Sequence, residues 1–144
     1  MIPINVIRWA AEECERQQSG EMSVYNMLNA WDWLNVHFAD SVTVNEPMIA
    51  HLAQLIEPEK NKNGYRVVPV TFRNGAIAVR HELIPRCMAN WVKGVNNGYY
   101  IPAEAYEEFE EIHPFIDGNG RLGSLLYNYS IVQLMYPVVP PRLF

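Results

Sequence analysis

The sequence has few of the features that mark a secreted or membrane-spanning chain. Only two cysteines occur among its 144 residues. Cys14 and Cys87 are far apart and form no C-x-x-C pair, so neither a disulfide framework nor a cysteine-based metal site is predicted, and both thiols are expected to be reduced and buried. No apolar run approaches the roughly 18 residues of a spanning helix. These absences predict a soluble cytoplasmic protein that does not act at a membrane.

Basic residues are also in the minority. The chain carries 11 Lys and Arg against 16 Asp and Glu, a formal net charge of −5. That balance argues against a surface built to neutralise nucleic-acid phosphates, although a local basic pocket is still allowed. With 49% hydrophobic and 19% charged residues, the composition is that of a globular protein, and the length fits a single domain spanning residues 1–144.

Apolar residues recur at helical spacing in six stretches, which predicts a mainly α-helical fold. The predicted helices begin near Ile4, Ser23, Pro47, Ile84, Pro102 and Arg121. The signals that end five of them are Ser19-Gly20, Pro58, Asn96-Asn97-Gly98, His113 and Pro137. Ser23 is predicted to cap the second helix, and Val132 is predicted to belong to the buried stripe of the sixth.

Between the third and fourth helices the apolar period changes to that of β-strands. Residues 65–72 and 76–79 are strand-like runs joined by Arg73-Asn74-Gly75, and Asn-Gly is a strong hairpin signal. Pro69 lacks a donor for a central ladder, so the hairpin is expected at the surface with free edges. Such an edge can pair with an incoming peptide, and the alternative is a connector that lies on the helices.

The residues with the clearest chemical potential lie between the last two helices, at positions 113–121. The glycines Gly118 and Gly120 alternate with Asp117 and Asn119, so that successive N–H groups can turn toward one point and cradle a phosphate at a helix N-terminus. Arg121 adds a guanidinium at the first turn. Asp117 is a suitable oxygen ligand for a Mg²⁺ that keeps most of its waters.

His113 precedes this loop and is its one titratable base, suited to removing a proton from a hydroxyl nucleophile. Taken separately, a turn with alternating glycines is an ordinary loop, and a histidine that ends a helix is an ordinary cap. The combination with Arg121 favours a functional interpretation.

The stretch from His113 to Arg121 resembles the signature of the Fic-domain family, H-P-F-x-D/E-G-N-G-R, and matches it at every fixed position. The similarity extends upstream, since residues 64–70, the predicted hairpin and the helix that follows resemble the family's flap segment. The resemblance covers about residues 45–140. It implies a Fic-type helical bundle with a short β-hairpin flap over the active-site loop.

The same resemblance implies an enzyme, a protein adenylyltransferase. Such an enzyme transfers a nucleotidyl group, most often AMP from ATP, to a Ser, Thr or Tyr hydroxyl of a target protein with the help of Mg²⁺. His113 would activate the hydroxyl, Asp117 would hold the metal, Asn119 would contact the α-phosphate, and Arg121 would contact a phosphate. Gly118 and Gly120 would supply backbone donors. The flap residues that would dock the target by strand addition are Val68, Val70, Phe72, Asn74 and Gly75.

Two departures from the family pattern bear on the donor and on how activity is restrained. Ser124 stands where the family usually has a second arginine that contacts the γ-phosphate, which weakens the expected hold on a triphosphate and allows transfer from another donor. The Ser/Thr-x-x-x-Glu-Gly/Asn pattern of the family's inhibitory helix is also absent, so restraint would come from a separate inhibitory partner, from self-association or from low intrinsic activity. A further alternative is a non-catalytic, nucleotide-binding or regulatory protein, against which intact His113 and Asp117 argue.

Overall fold

Six α-helices account for most of the regular structure in the computed structural model, which describes residues 1–72 and 74–141. In chain order they are α1 (Ile4–Arg16), α2 (Glu21–Phe38), α3 (Glu46–Ile56), α4 (Ile84–Asn96), α5 (Pro102–Ile112) and α6 (Asn119–Ser130). A short 3₁₀ turn, His81–Leu83, leads into α4. The prediction of a mainly helical chain is confirmed.

Local signals place most of the helix ends where the sequence predicts them. The start of α3 is capped by the Asn45 side chain, which accepts a hydrogen bond from the Met48 amide at 2.8 Å. Two predictions at helix ends are wrong. The cap of α2 is Gly20, so Ser23 lies inside the first turn. Val132 lies beyond the end of α6 with a φ of 58° and is 72% exposed.

Helix α6 lies at the centre of the bundle. It packs against α1, α3 and α5, and nine of its twelve residues are buried. A helix that is buried on almost every side holds its first turn in a fixed position. The loop that enters α6, which contains the predicted chemical residues, is therefore supported by the core itself.

The segment predicted as a β-hairpin forms one antiparallel bridge, between Thr71 and Ile77, and no strand is present in the described part of the chain. Two backbone hydrogen bonds flank the bridge, from the Phe72 amide to the Ala76 carbonyl at 2.7 Å and from the Ala78 amide to the Val70 carbonyl at 3.0 Å. Arg73 of the predicted turn lies outside the described residues. The short β-hairpin is thus not confirmed, although the chain does turn back on itself here; we call residues 65–79 the flap segment.

A buried arginine side chain supplies hydrogen bonds that link the two arms of the flap segment, as a ladder of paired strands would. The Arg66 side chain is 1% exposed and donates hydrogen bonds to the carbonyl oxygens of Val68 and Val79, one on each arm of the flap segment. Pro69, the residue after Val68, has no backbone N–H to donate to a strand ladder. The base of the flap segment is therefore held together by a side chain rather than by paired strands.

The cysteines and the helix lengths bear on the remaining expectations. Cys14 is buried and Cys87 is half-buried, and both are free thiols, so the expectation of full burial is wrong for Cys87. None of the helices in residues 1–72 and 74–141 combines the length and the apolar character needed to cross a membrane.

Candidate active site

His113 ends α5 and begins the loop. Its backbone has a φ of 51°, in the left-handed region that non-glycine residues seldom adopt, and its amide closes the helix by bonding to the Phe109 carbonyl at 3.0 Å. The following Phe115 is fully buried in the core. The loop is therefore anchored on both sides of Pro114, and the imidazole is fixed at the end of α5.

The imidazole of His113 is set up to accept a proton. Its Nδ1 lies 3.2 Å from the Glu110 carbonyl oxygen, and because a carbonyl can only accept, Nδ1 carries the hydrogen and Nε2 is left as the acceptor. Burial lowers the pKa of His113 below its ordinary value of 6.5, and the charge of Arg66 lowers it further, against the opposing effects of the Glu110 carbonyl and Asp117. The ring is therefore neutral at pH 7.

Asn119 braces the loop from within. Its side-chain oxygen accepts a hydrogen bond from the Phe115 amide at 3.0 Å, and its side-chain nitrogen donates to the Phe115 carbonyl at 2.9 Å. The side chain is 2% exposed. These bonds make Asn119 a positioning residue for the loop, and its role as an α-phosphate contact stays a prediction.

Both glycines of the motif lie against close neighbours, and at Gly118 the backbone conformation also favours glycine. Gly118 has a φ of 78°, and a Cβ there would lie 2.8 Å from Cγ2 of Ile56. A Cβ on Gly120 would lie 2.4 Å from Oε1 of Gln17 at the end of α1. The Gly118 amide donates to Oδ1 of Asp117 at 2.8 Å, whereas helix geometry leaves the amides of the first turn of α6 without intrahelical partners. Those amides and the positive end of the helix dipole lie where the anion cradle is predicted, and phosphate binding there stays a prediction.

Asp117 lies between two cations. Lys60 Nζ donates to its Oδ2 at 2.7 Å, and Arg121 Nη2 lies 3.6 Å from its Oδ1. Burial acts to raise the pKa of Asp117, but the hydrogen bonds from Lys60 and Gly118 and the charges of Lys60 and Arg121 outweigh it, so the pKa lies below its ordinary value. Asn61 fixes the backbone by donating to the Asp117 carbonyl at 2.8 Å. The carboxylate is ionised at neutral pH and held in place.

Arg121 is almost completely buried, with 3% of its side chain exposed. Its Nη2 forms a salt bridge with Glu57 at 2.8 Å. Its Nη1 is buried and has no hydrogen-bond partner among the described residues. The Nη2 edge of the guanidinium is therefore held by Glu57, while Nη1 keeps a donor that no described protein acceptor uses.

A cavity of about 620 Å³ brings these groups together. The loop and the start of α6 contribute His113, Asp117, Gly118, Asn119, Gly120 and Arg121, and the flap segment contributes Thr71, Phe72, Asn74 and Ala76. Helix α5 contributes Glu110 and Glu111, and the end of α1 contributes Arg16, Gln17 and Ser19. The Phe72 ring meets the His113 ring edge-on, with centroids 4.9 Å apart. Every predicted loop residue thus reaches one cavity.

The predicted flap residues divide into two groups. Phe72 and Asn74 reach the cavity wall, whereas Val68, Val70 and Gly75 lie elsewhere on the flap segment. Val68 is exposed and Val70 is half-buried. The flap segment therefore offers both a side that faces the cavity and a side that faces solvent.

Sequence reasoning missed the residues that support the loop from a distance. Arg66 donates to the His113 carbonyl at 2.6 Å and its amide bonds to the Pro114 carbonyl at 2.9 Å, so one buried side chain joins the flap segment to the loop. Glu57 and Lys60 lie in a polar stretch that reads as an ordinary break after α3. The one signal for Arg66 was a charged residue inside a β-type apolar run.

Comparison with known proteins decides the family. The family model described as the Fic/DOC family matches residues 42–131. The chain belongs to the Fic/DOC family. The resemblance predicted from residues 113–121 is therefore confirmed.

Similar proteins agree with this assignment. A Fido domain-containing protein of Dictyostelium discoideum is 33% identical over 78 residues, which are 49% of this chain and 54% of that protein, so this Fic chain spans about half the length of the curated relative it matches. The crystal structure of a Fic family protein from Desulfovibrio desulfuricans has a TM-score of 0.63 and 25% identity, and the match covers 80% of this chain and 38% of the other.

A second solved structure bears on the fold alone. The crystal structure of a Fic domain-containing signaling protein from Bacteroides thetaiotaomicron has a TM-score of 0.58 at 21% identity, and the match covers 80% of this chain and 50% of the other. The helical arrangement of this chain is thus that of solved Fic proteins.

Proposed function

We propose that this Fic-family chain transfers a nucleotidyl group, AMP from ATP in the first instance, to a hydroxyl side chain of a target protein. The observation that carries the proposal is the shared cavity. A neutral imidazole, an anion cradle at a helix start and a buried guanidinium with an unpaired donor all line it. Transfer of a phosphate ester to a hydroxyl needs these three groups, a base and two kinds of anion stabiliser.

His113 acts as the general base in this scheme. Its Nε2 takes the proton of a Ser, Thr or Tyr hydroxyl as the hydroxyl oxygen attacks the α-phosphorus. The bond from the α-phosphorus to the bridging oxygen breaks, and pyrophosphate leaves with the electron pair of that bond. The first-turn amides of α6 and the free donor of Arg121 hold the negative charge of the phosphates.

Asp117 is the residue that would hold Mg²⁺. A Mg²⁺ ion commonly takes one carboxylate, several waters and the phosphates of a nucleotide, and bound in that way it neutralises phosphate charge. The Asp117 side chain is 43% exposed, so it has room for water ligands. No group of three or more ligating His, Cys, Asp or Glu side chains occurs within residues 1–72 and 74–141, which fits a metal that arrives with the nucleotide rather than one caged by protein.

The flap segment would present the target to this cavity. Its outer face exposes Val67 and Ile77, which are 75% and 73% exposed, and its two arms pair at the bridge between Thr71 and Ile77. An extended peptide can add to such an edge through backbone hydrogen bonds. The target hydroxyl would then lie beside Phe72 and His113, whose rings are in contact.

A second candidate is transfer of a related phosphate group from another donor. The observation that favours it is Ser124, which stands at the family's usual second arginine position and is completely buried, away from the described cavity wall. A serine there supplies no guanidinium to a terminal phosphate. A donor with fewer phosphates would be affected less by that loss.

One experiment tests both candidates. The protein is incubated with each nucleoside triphosphate, with diphosphate-linked donors and with Mg²⁺, and intact mass then reports adducts on the protein itself and on lysate proteins. The proposal expects a mass increase of one nucleotidyl group, a nucleoside monophosphate less one water, and none with His113→Ala. An adduct of a different mass supports the second candidate, and absence of any adduct with every donor contradicts both.

A further inference from the structure

The end of α1 forms the side of the cavity that faces the start of α6. Arg16 and Gln17 lie in this wall, and the Gln17 side chain touches the first turn of α6 at Gly120. Both residues precede the stretch matched by the Fic/DOC family model, which begins at residue 42. Part of the cavity wall therefore comes from residues that lie outside the stretch matched by the family model.

A buried carboxylate fixes that wall. Glu13 is 0% exposed, and Arg16 Nη2 donates to both of its oxygens, at 3.0 and 2.9 Å. Gln17 Nε2 donates to the same carboxylate at 3.2 Å. Because a buried charge is stable only when it is paired and hydrogen-bonded, Glu13 holds the Arg16 guanidinium in one orientation at the cavity.

Two residues of the cavity wall, Arg16 and Arg121, each have one guanidinium donor without a partner in the described part of the chain. Arg16 Nε and Arg121 Nη1 are both buried, and neither has a hydrogen-bond partner among the described residues. A buried N–H without an acceptor costs free energy, and more so on a charged group. Two such donors in the wall of one cavity indicate a ligand that brings several anionic oxygens.

The charges of the cavity wall also define where that anion lies. Helix α5 contributes Glu110 and Glu111 beside His113, whereas α1 and the start of α6 contribute Arg16, Arg121 and the positive end of α6, next to the Asp117 carboxylate. A polyphosphate is repelled from the first group and attracted to the second. The reacting α-phosphate can lie between them, next to His113, with the outer phosphates extending along α1.

We propose that Arg16 binds the outer phosphates of the donor, a nucleoside triphosphate, and that Glu13 is its positioning residue. This inference rests on the proposed function, because it assigns a part of the same donor site. It also explains how a chain with a buried serine at position 124 can hold a triphosphate. The guanidinium comes from α1 instead of from α6.

The test is a binding measurement on the full chain with defined probes. Isothermal titration calorimetry in Mg²⁺ compares ATP, AMP and inorganic tripolyphosphate on the wild type, on Arg16→Gln and on Arg8→Gln, the matched control on the exposed face of α1. Since Arg16→Gln leaves the buried Glu13 charge unpaired, the double variant Glu13→Gln/Arg16→Gln is measured beside it. It removes both charges together, and since neutral side chains replace the whole buried ion pair, we expect the fold to be kept.

We expect both Arg16 variants to bind ATP and tripolyphosphate about 10- to 100-fold more weakly, the scale of a hydrogen bond between charged groups. AMP affinity and the Arg8→Gln variant should not change. Wild-type affinity for ATP in the double variant, or an equal loss for AMP, would overturn the assignment while leaving the proposed function intact. A wild type that binds no polyphosphate would overturn both, and one that binds ATP with the expected Arg16 effect but transfers nothing would overturn the proposed function alone.

Discussion

His113 shows how one residue can meet a structural and a chemical demand together. Its left-handed backbone ends α5, its Nδ1 is bound to the Glu110 carbonyl, and its ring is packed against Phe72. These contacts fix the backbone, the tautomer and the ring position of the proposed base. Nε2 is the one ring atom left to take part in proton transfer.

The lowered pKa of His113 makes a prediction for the pH dependence of transfer. Burial and Arg66 favour the neutral ring, so the active form persists as the pH falls below 6.5. The acid limb of kcat/KM should therefore have its midpoint below 6.5, and not above it as for a histidine paired with a carboxylate. A pH–rate profile checks this, and an acid limb centred above 6.5 would contradict the neutral-base assignment.

Asn119 yields a stability prediction that does not depend on activity. Asn119→Ala leaves the amide and the carbonyl of Phe115 buried without partners, so we expect the free energy of unfolding to fall by about 2–4 kcal/mol. Asn90→Ala, on the exposed side of α4, should stay within about 0.5 kcal/mol of the wild type. Urea denaturation measures both, and similar stabilities for the two variants would show that the loop is not braced in this way.

The sequence was a good guide to the loop and a poor guide to its supports. The loop residues lie within nine positions of each other and carry distinctive types, so a local pattern was enough to predict them. Arg66 and Glu57 act through contacts with residues 47 and 64 positions away. No local pattern shows which polar residue will be buried against a distant partner.

At the scale of the elements, the six helices were predictable because each has an apolar stripe at helical spacing. The flap segment was not, because its apolar period matched a hairpin while its hydrogen bonds depend on Arg66, whose side chain bonds to Val68 and Val79. The end of α6 was also misjudged. Val132 continued the apolar pattern, although the chain has already left the helix at that point.

The flap segment carries a prediction about the target. Thr71→Pro removes a backbone N–H that points away from the other arm, because the hydrogen bonds between the arms are made by Val70 and Phe72 on either side of it, so strand addition by a target should fail while the donor cavity stays formed. We expect modification of a protein target to fall about tenfold, the scale of one lost hydrogen bond between neutral groups. Hydrolysis of bare nucleotide should change little.

The control for this change is Thr71→Ala, which keeps the N–H and removes most of the side chain. It should retain most of the target modification. If Thr71→Pro reduces nucleotide hydrolysis and target modification by the same factor, the flap segment is a structural brace and not a docking edge.

At the scale of the whole molecule, charge is distributed unevenly. The chain carries a net charge of −5, yet the part of the cavity wall formed by α1 and α6 contains Arg16 and Arg121, and α5 contributes Glu110 and Glu111. Overall composition therefore excluded a broad phosphate-binding surface and could not locate a buried basic pocket. The first turn of the central helix α6 places Arg121 in that pocket with 3% of its side chain exposed, and charge interactions of a buried group are stronger than those in bulk water.

The most direct test of the central claim follows the α-phosphate of the donor. ATP labelled in the α-phosphate is incubated with Mg²⁺, the protein and a cell lysate, and protein-bound label is compared for the wild type and His113→Ala, with ATP binding measured on both. The account predicts label on protein with the wild type, none with His113→Ala, and similar ATP affinity for the two. Equal labelling by His113→Ala, or a wild type that binds ATP and transfers no α-label, would contradict it.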